Sequence, residues 1–176
     1  GGALASDYPS ALRFAEAFGI PAIVRYQMRT QAQIDKGRSL NRQGVAAGAP
    51  TILVEIGQNG GRDPEHVKAI VSGLKAGMQT LDMLPISGVR QTTQHRYYEG
   101  THSVPVGHSG IWHPIETGGR DVTQGDVLGE IHDYSGAVVE TVTATASGFA
   151  MYGLAGPPVR KGESVMTIAL PVDSLD

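Results

Sequence analysis

Glu55 is the only acidic residue in the run Thr51-Ile-Leu-Val-Glu-Ile56, and the glycine-rich stretch Gly57-Gln-Asn-Gly-Gly61 follows directly. A carboxylate at the end of an otherwise apolar segment is suited to trading protons with a water or an amine, because partial burial raises its pKa. Glycines beside it let a substrate approach the main chain. The bland alternative is a strand-end carboxylate that faces solvent or pairs with an arginine, and composition alone leaves both readings open.

Other groupings invite chemistry less directly. His113-Pro-Ile-Glu116 has a spacing that brings an imidazole and a carboxylate together, and His132 is a conceivable third ligand for zinc. Pro114 and the glycines that follow argue for a turn there, so these are expected to be surface or turn residues. His95, His102 and His108 have no tight ligand spacing. Arg25, Arg29, Arg38 and Arg42 precede Glu55, and a guanidinium fork suits a substrate carboxylate. Arg38 and Arg42 are the better candidates because they flank the helix that feeds the Glu55 segment. Gly57 to Gly61 is no phosphate cradle: it lacks a Gly-Lys-[Ser/Thr] ending, and no Gly-x-Gly-x-x-Gly is present. Trp112, the single tryptophan, is expected as a core or interface anchor.

The elements that must position these groups change character along the chain. Ser6 or Asp7 caps a first helix with Pro9 in its first turn, and Gly19 supplies the stop. Pro21 to Tyr26 reads as a short strand. A second helix spans about Ser39 to Ala47, closed by Gly48. Thr51 to Ile56 is apolar nearly throughout, as expected of a strand buried on both faces. Asp63 and Pro64 open the clearest helix, with Val67, Ile70, Val71, Leu74, Met78 and Leu81 as one apolar stripe. Helices alternating with buried strands imply an α/β layer architecture.

Beyond Pro85 no long helical period occurs. Short β-type runs recur at Gln91 to Tyr98, Gly110 to Pro114, Val127 to His132, Val138 to Thr143, Phe149 to Tyr152 and Val165 to Leu170, separated by glycine turns. The expected class is therefore α/β: a partial sheet with helices over residues 1–86, then a small all-β domain over 87–176. Within the latter, Gly119 to Ile131 and Pro158 to Ile168 share Val-x-x-Gly-[Asp/Glu]-x-[Leu/Val/Met]-x-x-Ile, allowing one residue of slack. The pair resembles the barrel-sandwich hybrid of lipoyl and biotinyl domains. Lys161, within the second of these turns, lacks the neighbours of a modifiable lysine, so a carrier role is not expected.

Composition bounds the rest. The chain has 176 residues, 40% hydrophobic and 18% charged with net charge −3, too apolar and too weakly charged for a disordered chain. With no cysteine, disulfide scaffolds and thiolate metal sites are excluded. A pI near 6.1 gives no electrostatic footprint for nucleic acid. No apolar run approaches the ~18 residues of a membrane span, and no secretory leader is seen. A cytoplasmic protein without nucleic-acid or membrane partners is expected, its oligomeric state open.

Pro50-Thr-Ile-Leu-Val-Glu-Ile-Gly-Gln-Asn-Gly-Gly61, preceded by Ala46-Ala-Gly48, resembles the Pro-x-x-x-x-Glu-x-Gly segment of the succinylglutamate desuccinylase/aspartoacylase family. Ala11 to Pro21, ending in Ala-Phe-Gly-Ile-Pro, resembles the middle of that family. Ser109-Gly-Ile-Trp-His-Pro114 and Asp121 to Gly136 resemble the β domain of its bacterial members. The resemblance implies a zinc-carboxypeptidase-like fold and hydrolysis of the amide bond of N-acyl amino acids or related amides. Glu55 would be the catalytic acid/base acting on zinc-bound water. The family takes zinc from a His-Gly-x-Glu motif and an Asp-x-His segment, both ahead of the Glu. All six histidines here follow Glu55, and Gly1-Gly2 resembles the residues after the Asp-x-His segment. The expectation is a C-terminal portion with zinc ligands upstream of Gly1, no metal ligand within these residues, and no activity alone. The alternative is a non-catalytic binding or assembly module with a lipoyl-like β fold.

Overall fold

A computed structural model describes residues 2–26, 30, 32, 36, 39–58, 60–85 and 93–175. The chain divides into two units, one of Gly1–Ile23 with Gln27–Arg96, the other of Val24–Tyr26 with Tyr97–Asp176. The division expected between residues 86 and 87 falls outside the described residues. No helix among those described is long and apolar enough to cross a membrane.

The first unit is helical. Helix α1 (Gly2–Phe18) runs through Pro9 instead of starting just before it, at the expense of one main-chain hydrogen bond. Gly19, at φ 84°, ends it. Helix α2 (Leu40–Ala46) follows Ser39 and closes at Gly48, whose φ is 81°. Helix α3 (Pro64–Thr80) starts as its sequence demands: Asp63 accepts the Glu65 N–H at 2.9 Å, with Pro64 at the first position.

Helices α1 and α3 meet through glycines that the apolar pattern did not single out. A β-carbon on Gly73 would lie 2.5 Å from the Phe18 ring, and one on Gly77 2.6 Å from the Phe14 ring. Phe14 and Phe18 fill one face of α3 where side chains are missing, an i, i+4 pair against an i, i+4 pair. Roughly 100° round the helix, the stripe of Val67, Ile70, Val71 and Leu74 stays exposed. Among the described residues of this unit only Phe18 and Ile23 are buried large hydrophobics.

The buried strand expected at Thr51 to Ile56 is not formed: these residues belong to no sheet. An apolar run reports what the segment is able to bury, whereas a strand needs a neighbour for its N–H and C=O groups, and among the described residues none pairs with it. The other strand of this half, β1 (Ala22–Arg25), edges a sheet of the second unit. The fold is mixed α/β, with three helices and two sheets among the described residues.

Those sheets carry the β-rich half: β2 (Arg96–Pro105), β3 (Gly110–Pro114), β4 (Arg120–Val122), β5 (Val127–His132), β6 (Val138–Thr143), β7 (Gly148–Gly153), β8 (Pro158–Val159) and β9 (Ser164–Val172). One sheet runs β1-β2-β9-β7-β4, the other β6-β5-β3-β8. The expected run from Gln91 begins as a strand only at Arg96; Gln91 and Thr92 lie outside the described residues. The repeated pattern explains the architecture. Val122 and Val159 end the short strands β4 and β8, each of which hands the chain through a tight turn to the other sheet, as β5 and β9. Gly125 and Gly162 sit at φ 96° and 89°. Asp126 accepts the Thr123 N–H at 2.8 Å and Glu163 the Arg160 N–H at 2.9 Å. Leu128 with Ile131, and Val165 with Ile168, re-enter the core fully buried. Trp112 belongs to that core, over Gly129, where a β-carbon would lie 2.5 Å from the indole. The Trp112 N–H has no protein acceptor among the described residues.

Candidate active site

The Glu55 segment keeps strand-like alternation without a sheet. Ile52 and Val54 line a groove of about 450 Å³ that is also walled by Phe14, Phe18, Ile70 and Leu74. Leu53 and Glu55 point the other way and are exposed. The segment is seated on α2 through Gly44, where a β-carbon would lie 2.5 Å from Thr51 Oγ1. Glu55 is thus not the partly buried carboxylate expected from the apolar run, because no neighbouring strand covers its side of the chain among the described residues.

Immediately after Glu55 the main chain bends at Gly57, with φ 83°. The bare Cα faces the imidazole of His66 on the first turn of α3, and a β-carbon there would sit 3.0 Å from Nδ1. Gly61 donates to the Gln58 carbonyl at 2.8 Å, closing the loop above the helix start. The structure brings together the end of the Glu55 segment, a glycine with left-handed backbone, and a histidine. Sequence reading assigned His66 no part in this; the available signal was its place three residues after the helix cap, on the turn that the loop must reach.

Of the four arginines, Arg25 is committed elsewhere. Its Nε donates to Glu99 at 2.6 Å and its Nη1 to the Leu175 carbonyl at 3.1 Å, within the second unit. Arg42 is exposed on α2. Arg29 and Arg38 lie outside the described residues.

The grouping of His113, Glu116 and His132 comes apart in an instructive way. Strands β3 and β5 pair so that His113 opposes Glu130 and Ile111 opposes His132. The His113 and His132 rings are consequently diagonal neighbours, centroids 4.1 Å apart, and His132 Nε2 lies 3.0 Å from Glu130. Glu116 turns away. The N–H groups of Ile115 and Glu116 both donate to the Leu128 carbonyl at 2.9 Å, a bend after Pro114 that carries the Glu116 side chain inward. There it is 5% exposed, accepts the Gly118 N–H at 2.8 Å and pairs with Arg120. No three His, Asp or Glu side chains among the described residues converge as metal ligands. A zinc ion of the kind implied by the family resemblance therefore has no complete donor set in these residues.

Solved structures give the fold a context. A succinylglutamate desuccinylase/aspartoacylase from Rhodobacter sphaeroides matches 93% of this chain at a TM-score of 0.73 and 20% identity, the match covering 50% of that protein. The product-bound ectoine utilization protein of Ruegeria pomeroyi matches 94% at a TM-score of 0.77 and 15% identity, again over 50% of its length. An aspartoacylase family protein from Mesorhizobium loti matches 94% at a TM-score of 0.68 and 18% identity, over 48% of its length. The chain has the succinylglutamate desuccinylase/aspartoacylase fold, over its C-terminal portion. It thus spans about half the length of these structures. No protein-family model matches the chain, nor does any curated protein sequence.

Proposed function

We propose that the chain is the C-terminal portion of a deacylase that hydrolyses the amide bond of N-acyl amino acids or related amides, with Glu55 as its proton-transferring group. The observation that carries this reading is the match of more than nine-tenths of the chain to desuccinylase/aspartoacylase structures, together with Glu55 at the head of a glycine loop. In the reaction, Glu55 accepts a proton from the water that adds to the acyl carbonyl. It returns that proton to the nitrogen as the carbon–nitrogen bond breaks, leaving a carboxylic acid and an amine. Zinc belongs to this reading only through ligands upstream of Gly1, since the described residues supply no set of their own. The second unit, with its repeated turns, fits a barrel-sandwich-like appendage, and a cytoplasmic enzyme is part of this reading.

The test is Glu55→Gln in the chain extended upstream to include those ligands. Turnover of N-acyl amino acids should fall by about three orders of magnitude, in line with loss of a proton-transfer group, with zinc content unchanged. Retained turnover removes Glu55 from the mechanism.

A further inference from the structure

Two glycines mark the ends of the segment that carries Glu55. At its start, Gly44 of α2 makes room for Thr51 Oγ1; at its end, Gly57 makes room for the imidazole of His66. A β-carbon on Gly57 would lie 3.0 Å from Nδ1, 3.5 Å from Cε1 and 3.9 Å from Cγ, so the Nδ1 side of the ring is what meets the main chain. Glycine has the greatest backbone freedom of any residue, and Gly57 at φ 83° needs a neighbour to hold it in one conformation. His66 is placed to do so. It sits in the first turn of α3, behind the Asp63 cap and Pro64, on a helix whose second half is fitted to α1 through Gly73 and Gly77. The ring is half-buried, and among the described residues no hydrogen bond ties it elsewhere.

We infer that His66 is a positioning residue: its ring pins the Gly57 bend to α3 and so sets the direction in which Glu55, two residues earlier, presents its carboxylate. The link is mechanical. Helix α3 is the fixed reference, the ring meets the main chain where no side chain intervenes, and the main chain carries the constraint back to Glu55. For a proton-transferring group, a misplacement of about 1 Å costs on the order of 100-fold in rate. The contact uses the Nδ1 side of the imidazole and gives Nε2 no task. The inference rests on the deacylase reading for its effect on turnover, but not for the contact itself.

The test uses the same extended chain as Glu55→Gln, with an N-acyl amino acid that the unaltered enzyme hydrolyses. His66→Ala should lower kcat by about 10- to 100-fold, with KM and zinc content held; alanine is a good helix former, so α3 persists. His66→Asn, which keeps a planar group with an atom near the place of Nδ1, should recover most of the loss. His66→Gln, whose amide reaches the place of Nε2 instead, should not. In this chain alone, nitrogen-15 relaxation should show the Gly57 amide order parameter falling from about 0.85 to below about 0.6 in His66→Ala. The inference is overturned by an unchanged kcat in His66→Ala, by a loss carried in KM, by recovery with Gln but not Asn, or by a Gly57 order parameter indifferent to the variant. Turnover that survives Glu55→Gln, or an extended chain that hydrolyses no N-acyl amino acid, sinks the deacylase reading separately; the order parameter then decides the His66 contact by itself.

Discussion

Gly73 of α3 meets Phe18 of α1 so closely that a β-carbon at position 73 would lie 2.5 Å from the ring and 2.6 Å from the Phe18 carbonyl oxygen. At Gly77 the nearest obstacle is the rim of the Phe14 ring at 2.6 Å, with no backbone atom among the close neighbours. Inside a helix, Gly→Ala gains about 1 kcal/mol of propensity. A ring edge is able to swing aside, whereas a carbonyl moves only with its helix. Gly73→Ala should therefore lose about 1–3 kcal/mol net, as overpacking does, and Gly77→Ala should stay near neutral. Urea unfolding followed by far-ultraviolet circular dichroism reads the helices, which among the described residues all lie in the first unit. Equal effects at the two positions would show that the carbonyl contact does not limit the approach.

The two turns of the repeat make a matched pair. A β-carbon on Gly125 or Gly162 would touch nothing within 4 Å, yet φ is 96° and 89°. Alanine in either position should cost about 1–2 kcal/mol by backbone conformation alone. The two single variants should agree with each other, and the double variant should show their sum. Trp112, buried in the core that both turns feed, reports the unfolding by fluorescence. A large difference between the variants would break the equivalence of the repeats.

Glu140 provides the pH dependence. Burial pushes its carboxyl up, but N–H groups of Gly107 and His108 and the His108 ring outweigh that, holding it below its ordinary value of 4.5. The hydrogen bonds to Gly107 are 3.0 and 2.9 Å and that to the His108 N–H is 2.8 Å. A depressed folded pKa means the contribution is present in full above the ordinary value and is lost as pH falls through the folded one. The midpoint difference between the unaltered chain and Glu140→Gln should be widest near neutrality and should shrink as pH falls below the ordinary carboxylate value of 4.5 and through the folded one. A difference constant from pH 7 to pH 3 would mean that the carboxylate charge contributes nothing.

The β half was legible because its information is local. Gly125 and Gly162 announce turns, and Gly110–Pro114, Val127–His132 and Val138–Thr143 are strands with the bounds that their residues imply. The short strands β4 and β8 were too brief to show alternation and appear only as the valines that lead into each turn. The first unit was less legible because its order depends on partners. Gly73 and Gly77 read as weak points of a helix, although they are what admits Phe18 and Phe14. Thr51 to Ile56 reads as a buried strand because an apolar run records what the segment is able to bury, not the neighbours that pair with it. For the candidate site, Glu55 stood out by type, while the approach of His66 to Gly57 depends on how α3 docks. The pairing of His113 with His132 needed the β3–β5 register, which no single strand contains.

That register also decides what zinc will do. The His113 and His132 ring centroids lie 4.1 Å apart with the rings tilted by 39°, and Glu130 is beside one of them, while Glu116 is held inside by Arg120 and the Gly118 N–H. A tetrahedral zinc needs donors that converge at about 2.0–2.1 Å, and among the described residues no third His, Asp or Glu completes a set with these two. The purified chain, exchanged into metal-free buffer and then equilibrated with equimolar zinc, should retain well under one zinc per chain by atomic emission. His113→Ala should leave that content unchanged. A stoichiometric zinc that disappears in His113→Ala would place a metal on the outer face of β3 and β5 and would remove the argument that the ligands lie upstream of Gly1.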